Sequence, residues 1–433
     1  MDNNIFTPAS DLASLRRQVH YVLTHNILPF WLQQMRDDEH GGFYGQMTGR
    51  YELRREADKG AVLNARILWS FSAAYRVLRR PEYLEAATRA KDYLISHFID
   101  HEQGGVYWSL NYKGEPLNTR KQFYAIAFAI YGLSEYARAT GDHEALDYAL
   151  WLYDCIEEHA LDRRNGGYVE ALSRDWQPLA DMRLSPLDAN YPKSQNTHLH
   201  IIEAYTNLLR CMRELSAASS CSYVPAIGSV LPVDISVPQE TVADIKAAVR
   251  RLITIFTDRI LNPATHHLDL FFDMDWTRGG GHLESYGHDI ECSWLLHEAA
   301  LMLADEQVLS QVEPVVRMVA QASAKGLRPD GSMIHEANLD TGHADDDRHW
   351  WVQAENVMGW LNIYQYFGDD VALQRALHCW HYISSNLVDW EHGEWYWSRR
   401  ADGTLNQDDD HAGVWKCPYH NSRLCLEIIE RFS

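Results

Sequence analysis

Apolar residues recur at helical spacing along most of the chain. In the first clear stretch they follow one another at steps of 4, 4, 3 and 4 residues, at Leu63, Ile67, Phe71, Ala74 and Leu78. This spacing places them on one face of an amphipathic helix, and Pro81 is expected to end it. The same reading predicts helices over 10–36, 63–78, 84–98, 118–139, 143–160, 194–213, 242–260, 284–304, 306–325, 346–367, 370–388 and 412–431.

A short turn pattern separates the pairs of helical stretches. Each copy combines turn residues with aromatic or β-branched alternation, as in a β-hairpin. The copies read HGGFYGQ, QGGVYWSL, NGGYVEAL, HLDLFFDMDW, PDGSMIHEAN and HGEWYWSRR. Markers at Gly41, Gly104, Gly166, Leu268, Gly331 and Gly393 are separated by 63, 62, 102, 63 and 62 residues. These intervals indicate six structural repeats with one insertion, which we place near 214–241.

Helix-pair repeats form either an open solenoid or a closed ring. A solenoid needs polar capping repeats at both ends, whereas the last predicted helix combines apolar residues with a dense polar start. We therefore expect an all-α fold, an (α/α)6 barrel of about twelve helices with short β-hairpins at one end. The barrel is expected to form one domain over residues 1–433, and the insertion is expected to lie on its surface, in a dimer contact or along the substrate cleft.

The charge of the chain narrows its possible partners. Among 433 residues, 39 are Lys or Arg and 60 are Asp or Glu, which gives a net charge of −21. This excess of negative charge disfavours nucleic acid and anionic membranes, but a neutral sugar is not repelled. Neither a run of about 18 apolar residues nor a signal peptide is seen. Seven cysteines without a CxxC pair are typical of reduced thiols, so we expect a cytoplasmic protein.

Polar and aromatic residues interrupt the apolar pattern near the start of each helix that follows a turn marker. Pairs such as 196/200, 288/291 and 351/355 share a helix face because they lie three or four residues apart. In a ring these six starts converge on one mouth of the barrel and predict a catalytic pocket. The residues concerned are Arg66, Tyr124, Asn196, His200, His288, Glu291, Trp351, Glu355, Trp415 and His420.

Three kinds of chemistry are compatible with these side chains. Metal binding is disfavoured because His198 and His200, two apart on a helix, point to different faces, and no HExxH motif is present. Glycoside cleavage needs two carboxylates, which Glu291, Glu355 or Asp188 could supply. Proton transfer beside a carbonyl group needs bases with a pKa near neutrality, and the abundance of histidine favours this third reaction. Nucleotide-binding motifs are not found, so no cofactor is expected.

At these positions the chain resembles the N-acylglucosamine 2-epimerase superfamily. The resemblance covers nearly the whole chain apart from the insertion, and long segments carry it. They are KGAVLNARILWSFSAAYR, KSQNTHLHIIEAYTNLLR, HLDLFFDMDW, GHDIECSWLLHEA, WWVQAENVMGW and GVWKCPYHNSRLCLEI. The resemblance implies an (α/α)6 barrel that epimerises or isomerises aldoses without a redox cofactor or a metal ion.

The resemblance also implies roles for individual residues. His288 and His420 correspond to the acid/base pair that removes and returns the C-2 proton. His200 corresponds to a residue that assists ring opening, and Arg66 to the cation that holds the sugar oxygens of an enediolate. Glu291 corresponds to a carboxylate that orients the neighbouring histidine. Substrate-binding or supporting roles are implied for Asn196, Glu355, Trp351, Trp415 and Trp294, and the expected substrate contacts include Tyr124 and Asp188.

The implied substrate is a β-1,4-linked disaccharide such as cellobiose, lactose or mannobiose. Its reducing-end glucose is converted to mannose, or the reverse, through a cis-enediolate. Action on a free monosaccharide, glycoside hydrolysis and a non-enzymatic interaction role are the alternatives. The chain is expected to be a monomer or a weak homodimer.

Overall fold

The computed structural model describes residues 8–220 and 239–433, and in that part of the chain twelve helices alternate between an outer and an inner ring. The outer helices are α1 (Pro8–Val22, continued through Leu23–Ile27 and Leu28–Gln33), α3 (Pro81–Tyr93), α5 (His143–His159), α7 (Gln239–Ile255), α9 (Glu306–Ser323) and α11 (Asp370–Asn386). The inner helices are α2 (Ala61–Leu78), α4 (Phe123–Thr140), α6 (Gln195–Ser220), α8 (Tyr286–Leu303), α10 (Trp350–Phe367) and α12 (Tyr419–Arg431).

Contacts between the inner helices close the ring. Each inner helix packs on the next one in chain order, and α12 packs on both α10 and α2. The outer helix α1 packs on α12, while every other outer helix packs on the inner helix that precedes it. The predicted (α/α)6 barrel is therefore confirmed. The inner helices are apolar on several sides, as helices buried between two layers must be.

The six turn markers form antiparallel turns, as the sequence predicts. Each is closed by one β-bridge, and these are Arg36↔Phe43, Ile99↔Val106, Leu161↔Tyr168, Leu261↔Leu268, Leu327↔Met333 and Val388↔Trp395. Short strands then join one repeat to the next, because the strand before an inner helix pairs with a strand after the next turn. The paired segments are 59–60 with 109–110, 121–122 with 171–172, 193–194 with 271–272, 283–285 with 336–338 and 348–349 with 398–399. A bridge between Met47 and Ala412 makes the sixth junction.

The strands are short and lie at one end of the barrel. Their bounds are β1 Lys59–Gly60, β2 Ser109–Leu110, β3 Pro116–Asn118, β4 Lys121–Gln122, β5 Ala171–Leu172, β6 Lys193–Ser194, β7 Phe271–Phe272, β8 Arg278–Gly279, β9 Leu283–Ser285, β10 Glu336–Asn338, β11 His343–Asp345, β12 Arg348–His349 and β13 Ser398–Arg399. All pairings between them are antiparallel.

Before each of three inner helices, a buried lysine pairs with an aspartate of the preceding turn. The Nζ of Lys59, which lies just before α2, is 2.7 Å from Asp37 Oδ2, and the same carboxylate accepts hydrogen bonds from turn N–H groups through its Oδ1. The pairs Lys121–Asp100 and Lys193–Asp162 repeat this arrangement at 2.8 Å. A buried charge must be paired and hydrogen-bonded, so each pair fixes where its inner helix begins.

Several predicted helix boundaries differ from the structure. The helices predicted from residues 118 and 346 begin at Phe123 and Trp350, because a short strand precedes each of them. Pro81 is the first residue of α3 rather than the end of α2, which ends when Arg79 adopts a left-handed conformation. Helix α12 begins at Tyr419 and not at residue 412, so Trp415 lies in the loop before it. Helix α6 extends into the predicted insertion, whose residues 221–238 lie outside the described part of the chain. Among the described helices, none combines the length and apolar character needed to span a membrane.

Candidate active site

A cavity of about 490 Å³ opens at the strand-bearing end of the barrel, where the inner helices begin. Its volume is within the range of small-molecule sites. Ten of the twelve predicted site residues line it, namely Arg66, Tyr124, Asp188, Asn196, His200, His288, Glu291, Trp351, Trp415 and His420. The structure therefore brings together side chains from all six repeats, while Glu355 and Trp294 are not among its lining residues.

Two of the imidazoles lie against the same tryptophan. The ring centroid of Trp351 is 4.9 Å from that of His288 and 5.7 Å from that of His420. The Nδ1 of His288 lies 2.8 Å from the hydroxyl oxygen of Ser285. Both histidines line the cavity, so two potential proton carriers reach one ligand space from different helices.

A third imidazole lies with the cavity arginine. Arg66 donates a hydrogen bond of 2.8 Å to the hydroxyl of Tyr124, whose ring is 4.9 Å from that of His200. The guanidinium of Arg66 also stacks over Phe128 at 4.1 Å. Its Nε has no hydrogen-bond partner among the described residues. A buried cation with a free donor is suited to an oxygen that gains negative charge.

Beneath the cavity lies a buried cluster of three carboxylates, Glu203, Glu291 and Glu355, around Arg423. Arg423 Nη2 donates at 2.6 Å to the Oε1 of Glu291 and to the Oε1 of Glu355. Its Nη1 donates to Glu203 Oε1, which also accepts from the Tyr419 hydroxyl. All four charged residues are at most 3% exposed.

Two members of the cluster hold cavity histidines. Glu355 Oε1 is 2.7 Å from His420 Nδ1, and Glu203 Oε2 is 2.8 Å from His200 Nδ1. An ionised carboxylate only accepts hydrogen bonds, so each Nδ1 carries the proton. The remaining nitrogen, Nε2, then has a lone pair and can act as a base.

Burial controls the protonation of the site. It lowers the pKa of His288 to about 3, and it lowers those of His200 and His420 as well, so the three rings are neutral near pH 7. Burial alone would raise the pKa of Glu203, but Arg423 brings it down to about 2. Burial and the neighbouring Glu355 raise the pKa of Glu291 to about 8.

Of the neighbouring residues Glu291 and Glu355, Glu355 carries the negative charge near neutral pH. Burial raises the pKa of both carboxyl groups. However, Glu355 accepts hydrogen bonds from Arg423, from His420 and, at 2.9 Å, from the indole Nε1 of Trp294. Donors directed at the charged form favour ionisation. Glu291 is therefore the protonated member near neutral pH.

The contacts bear on three expectations drawn from the sequence. Glu355, expected to bind the sugar or to support the residues that do, is bonded to His420 and is not among the cavity-lining residues. Glu291, expected to orient a histidine, is bonded to Arg423 and lies 3.8 Å from His420 Nδ1. Trp294 supports Glu355 and not the tryptophans of the cavity.

Sequence reasoning missed Glu203, Tyr419 and Arg423, although a helical signal was available. Glu203 follows His200 by three residues, and Arg423 follows His420 by three, so each pair shares a helix face. It also missed several residues of the outer cavity wall, which are Glu170, Tyr191, Gln195, His335, Glu336, His349, Trp350, Trp397 and Asp409. Most of these lie on strands or loops, where no helical period marks them.

Among the described residues, two groups of side chains bring three atoms of metal-ligand type within 4.8 Å of one another. In the group of Glu291, Glu355 and His420, the Arg423 guanidinium already supplies the positive charge. The other group is His335, Asp345 and His349, whose imidazoles stack with centroids 4.3 Å apart and planes 10° apart. Parallel rings direct their lone pairs side by side rather than at one ion, so this geometry favours a hydrogen-bonded stack.

Comparison with known proteins places the chain among sugar-converting enzymes. The family described as N-acylglucosamine 2-epimerase (GlcNAc 2-epimerase) matches residues 41–210 and 244–423. A cellobiose 2-epimerase of Bacteroides fragilis is 54% identical over 96% of this chain and 98% of its own length. One of Ruminococcus albus is 38% identical over 96% of this chain and 98% of its own.

A solved structure agrees with these sequence matches. The cellobiose 2-epimerase of Bacillus thermoamylovorans superimposes with a TM-score of 0.85 at 36% identity, covering 97% of this chain and all of that one. The chain therefore belongs to the N-acylglucosamine 2-epimerase family and is an epimerase-class enzyme.

Proposed function

We propose that the enzyme inverts C-2 of the reducing-end sugar of a β-1,4-linked disaccharide, interconverting glucose and mannose at that position. The observation that carries the proposal is the pair of neutral imidazoles, His288 and His420, which line one cavity and both contact the Trp351 ring. Inversion at carbon requires proton transfer on two faces of one atom, and two bases on different helices meet that requirement. The relatives with the name cellobiose 2-epimerase support the choice of substrate.

The proposed reaction begins with ring opening, in which His200 moves protons between the sugar oxygens. One of the paired imidazoles then removes the C-2 proton, and the electron pair moves onto O-1 to give a cis-enediolate. Arg66, with a free N–H donor, stabilises that negative charge. Rotation about the C-2–C-3 bond presents the opposite face.

The second imidazole returns a proton to C-2, so it must take up a proton from solvent once the sugar is bound, while its partner stays neutral. The two histidines have exchanged protonation states when the product forms, and proton exchange with solvent resets them. Burial keeps both neutral in the free enzyme. Negative charge that develops on the bound sugar favours the protonated form of the imidazole facing it.

Glycoside hydrolysis fits the carboxylates poorly. Retaining and inverting glycosidases hold two carboxyl groups about 5–5.5 Å or 6.5–9.5 Å apart across the scissile bond. Here the carboxylate oxygens of Glu291 and Glu355 lie within 4.8 Å of each other and share the Arg423 guanidinium, and of these two residues only Glu291 lines the cavity. The scissile bond of a sugar cannot lie between two carboxyl groups that are both hydrogen-bonded to one guanidinium.

The direct test is to incubate the enzyme with cellobiose in deuterated water and to follow the sugars by NMR. We expect the reducing-end glucose to become mannose with deuterium at C-2, together with a minor ketose when the proton returns to C-1. His288→Asn should abolish both turnover and exchange, whereas His297→Asn, a buried histidine on the same helix that contacts Asn362, serves as the matched control. Release of free glucose, turnover of mannose but not cellobiose, or epimerisation without deuterium would contradict the proposal.

We also propose that the enzyme works in the cytoplasm as a monomer or weak homodimer. The six cysteines in the described residues are buried free thiols, which supports a reducing environment. Light scattering across a concentration series tests the oligomeric state, and a stable tetramer would contradict it.

A further inference from the structure

We propose that Arg423 is a positioning residue that sets the tautomers of His200 and His420, an inference that rests on the proposed epimerase function. Arg423 is 1% exposed and is not among the residues that line the cavity. It therefore acts through the groups it contacts rather than on the sugar.

One guanidinium connects both imidazoles through their carboxylate partners. Arg423 on α12 contacts Glu203 on α6 and Glu355 on α10, and these hold His200 Nδ1 at 2.8 Å and His420 Nδ1 at 2.7 Å. The guanidinium also stacks on the Tyr419 ring at 4.2 Å. Both Nη atoms are thus hydrogen-bonded, and packing on the Tyr419 ring fixes the plane of the guanidinium.

The cation determines whether the carboxylates can accept the imidazole protons. Three buried carboxylates around one cation cannot all be ionised at low cost, so Glu291, which accepts fewer hydrogen bonds than Glu355, takes a proton while Glu203 and Glu355 remain charged. Without Arg423, these two would become protonated as well. A carboxylic acid would then donate to Nδ1, the imidazole proton would move to Nε2, and the lone pair that faces the cavity would be lost.

The pH dependence follows from every charged or titratable group that faces this cluster. They come from all six inner helices and comprise Arg66, Tyr124, Tyr131, His200, Glu203, His288, Glu291, Glu298, Glu355, Tyr419 and His420. Removal of a cation makes carboxylate protonation easier and also makes imidazole protonation easier. Both effects inactivate the base at higher pH, so the acidic limb of the rate profile moves upward in pH.

The test uses Arg423→Gln and Arg423→Lys, with Arg210→Gln as a matched control. Arg210 is another inner-ring arginine, and it pairs with Glu298 at 2.7 Å. For Arg423→Gln we expect kcat on cellobiose to fall by at least about 100-fold, the lower range for a lost general base, with KM changed less than about threefold. The acidic limb should shift to higher pH, and Arg423→Lys, which keeps the charge, should restore the profile and part of kcat. A loss equal to that of Arg210→Gln with an unchanged pH profile would overturn the proposal.

A measurement on the unmodified enzyme tests the inference even if the variants fail to fold. Nitrogen-15 shifts of labelled histidines at pH 7.5 report tautomers directly, and we expect the proton of both His200 and His420 on Nδ1. An Nε2–H tautomer in either ring of the free enzyme would refute the inference. Inactivity of the wild-type enzyme on every disaccharide would instead refute the proposed function, and the two failures are therefore distinguishable.

Discussion

Replacing Glu355 with glutamine separates two roles for this residue, sugar binding and support of His420. Three donors converge on the carboxylate, from His420, Arg423 and Trp294, but a glutamine offers one oxygen and one NH2 group. The substitution also removes the negative charge beside the imidazolium that forms during turnover. Two charges about 4 Å apart interact by about 4 kcal/mol at an effective dielectric constant of 20. We therefore expect kcat to fall by about 10³-fold.

The Michaelis constant distinguishes this reasoning from direct sugar contact. Because Glu355 lies behind the cavity wall, KM for cellobiose should stay within about threefold of the wild-type value. Initial rates over a range of cellobiose concentrations, with product separated by chromatography, give both constants. Glu298→Gln, which neutralises a partly exposed carboxylate two turns further along the helix of Glu291, is the control for general destabilisation. A large increase in KM with kcat nearly unchanged would refute the reasoning.

Three further predictions concern the same barrel. A Cβ atom on Gly287 would lie 2.5 Å from the Trp351 ring, so Gly287→Ala should displace that ring and lower kcat/KM at least tenfold while circular dichroism stays unchanged. Trp415→Ala should raise KM about tenfold with a smaller effect on kcat in the same rate assay, and an unchanged KM would exclude a sugar contact. Burial lowers the pKa of His198 to about 4 and keeps it neutral in the folded state. The unfolded chain binds this proton below about pH 6.5, so the free energy of unfolding should fall by about 1.4 kcal/mol per pH unit from pH 6.5 towards 4. Urea unfolding at a series of pH values measures this dependence. In His198→Gln the slope of the unfolding free energy against pH should be smaller by the equivalent of one proton.

The six-repeat barrel could be predicted because each repeat is specified locally. The turn residues and the apolar period recur at nearly constant intervals, and both are properties of neighbouring residues. The first turns of the inner helices then had to meet at one mouth of the ring. Residues such as Arg66 and His288 could be assigned to the cavity on this ground alone.

The contacts beneath the cavity could not be predicted in the same way. Glu203 and Arg423 are hydrogen-bonded although they are 220 residues apart in the chain. Whether Glu291 or Glu355 reaches His420 depends on how each inner helix is rotated, which packing decides. The position of Trp415 before α12 had a local signal that was overlooked, since Pro418 is typical of a helix start.

The way the ring closes affects how the enzyme is made. The helix that completes the circle, α12, is the last of the described helices to leave the ribosome, and it must fit between α10 and α2 while α1 covers it. Until it does, apolar faces of the neighbouring inner helices are exposed in the nascent chain, and exposed apolar surface promotes aggregation during synthesis. Since α12 also carries His420, one of the two imidazoles that we propose as proton carriers, we expect activity to appear only when the ring has closed, so that epimerase activity can serve as a readout of completed folding.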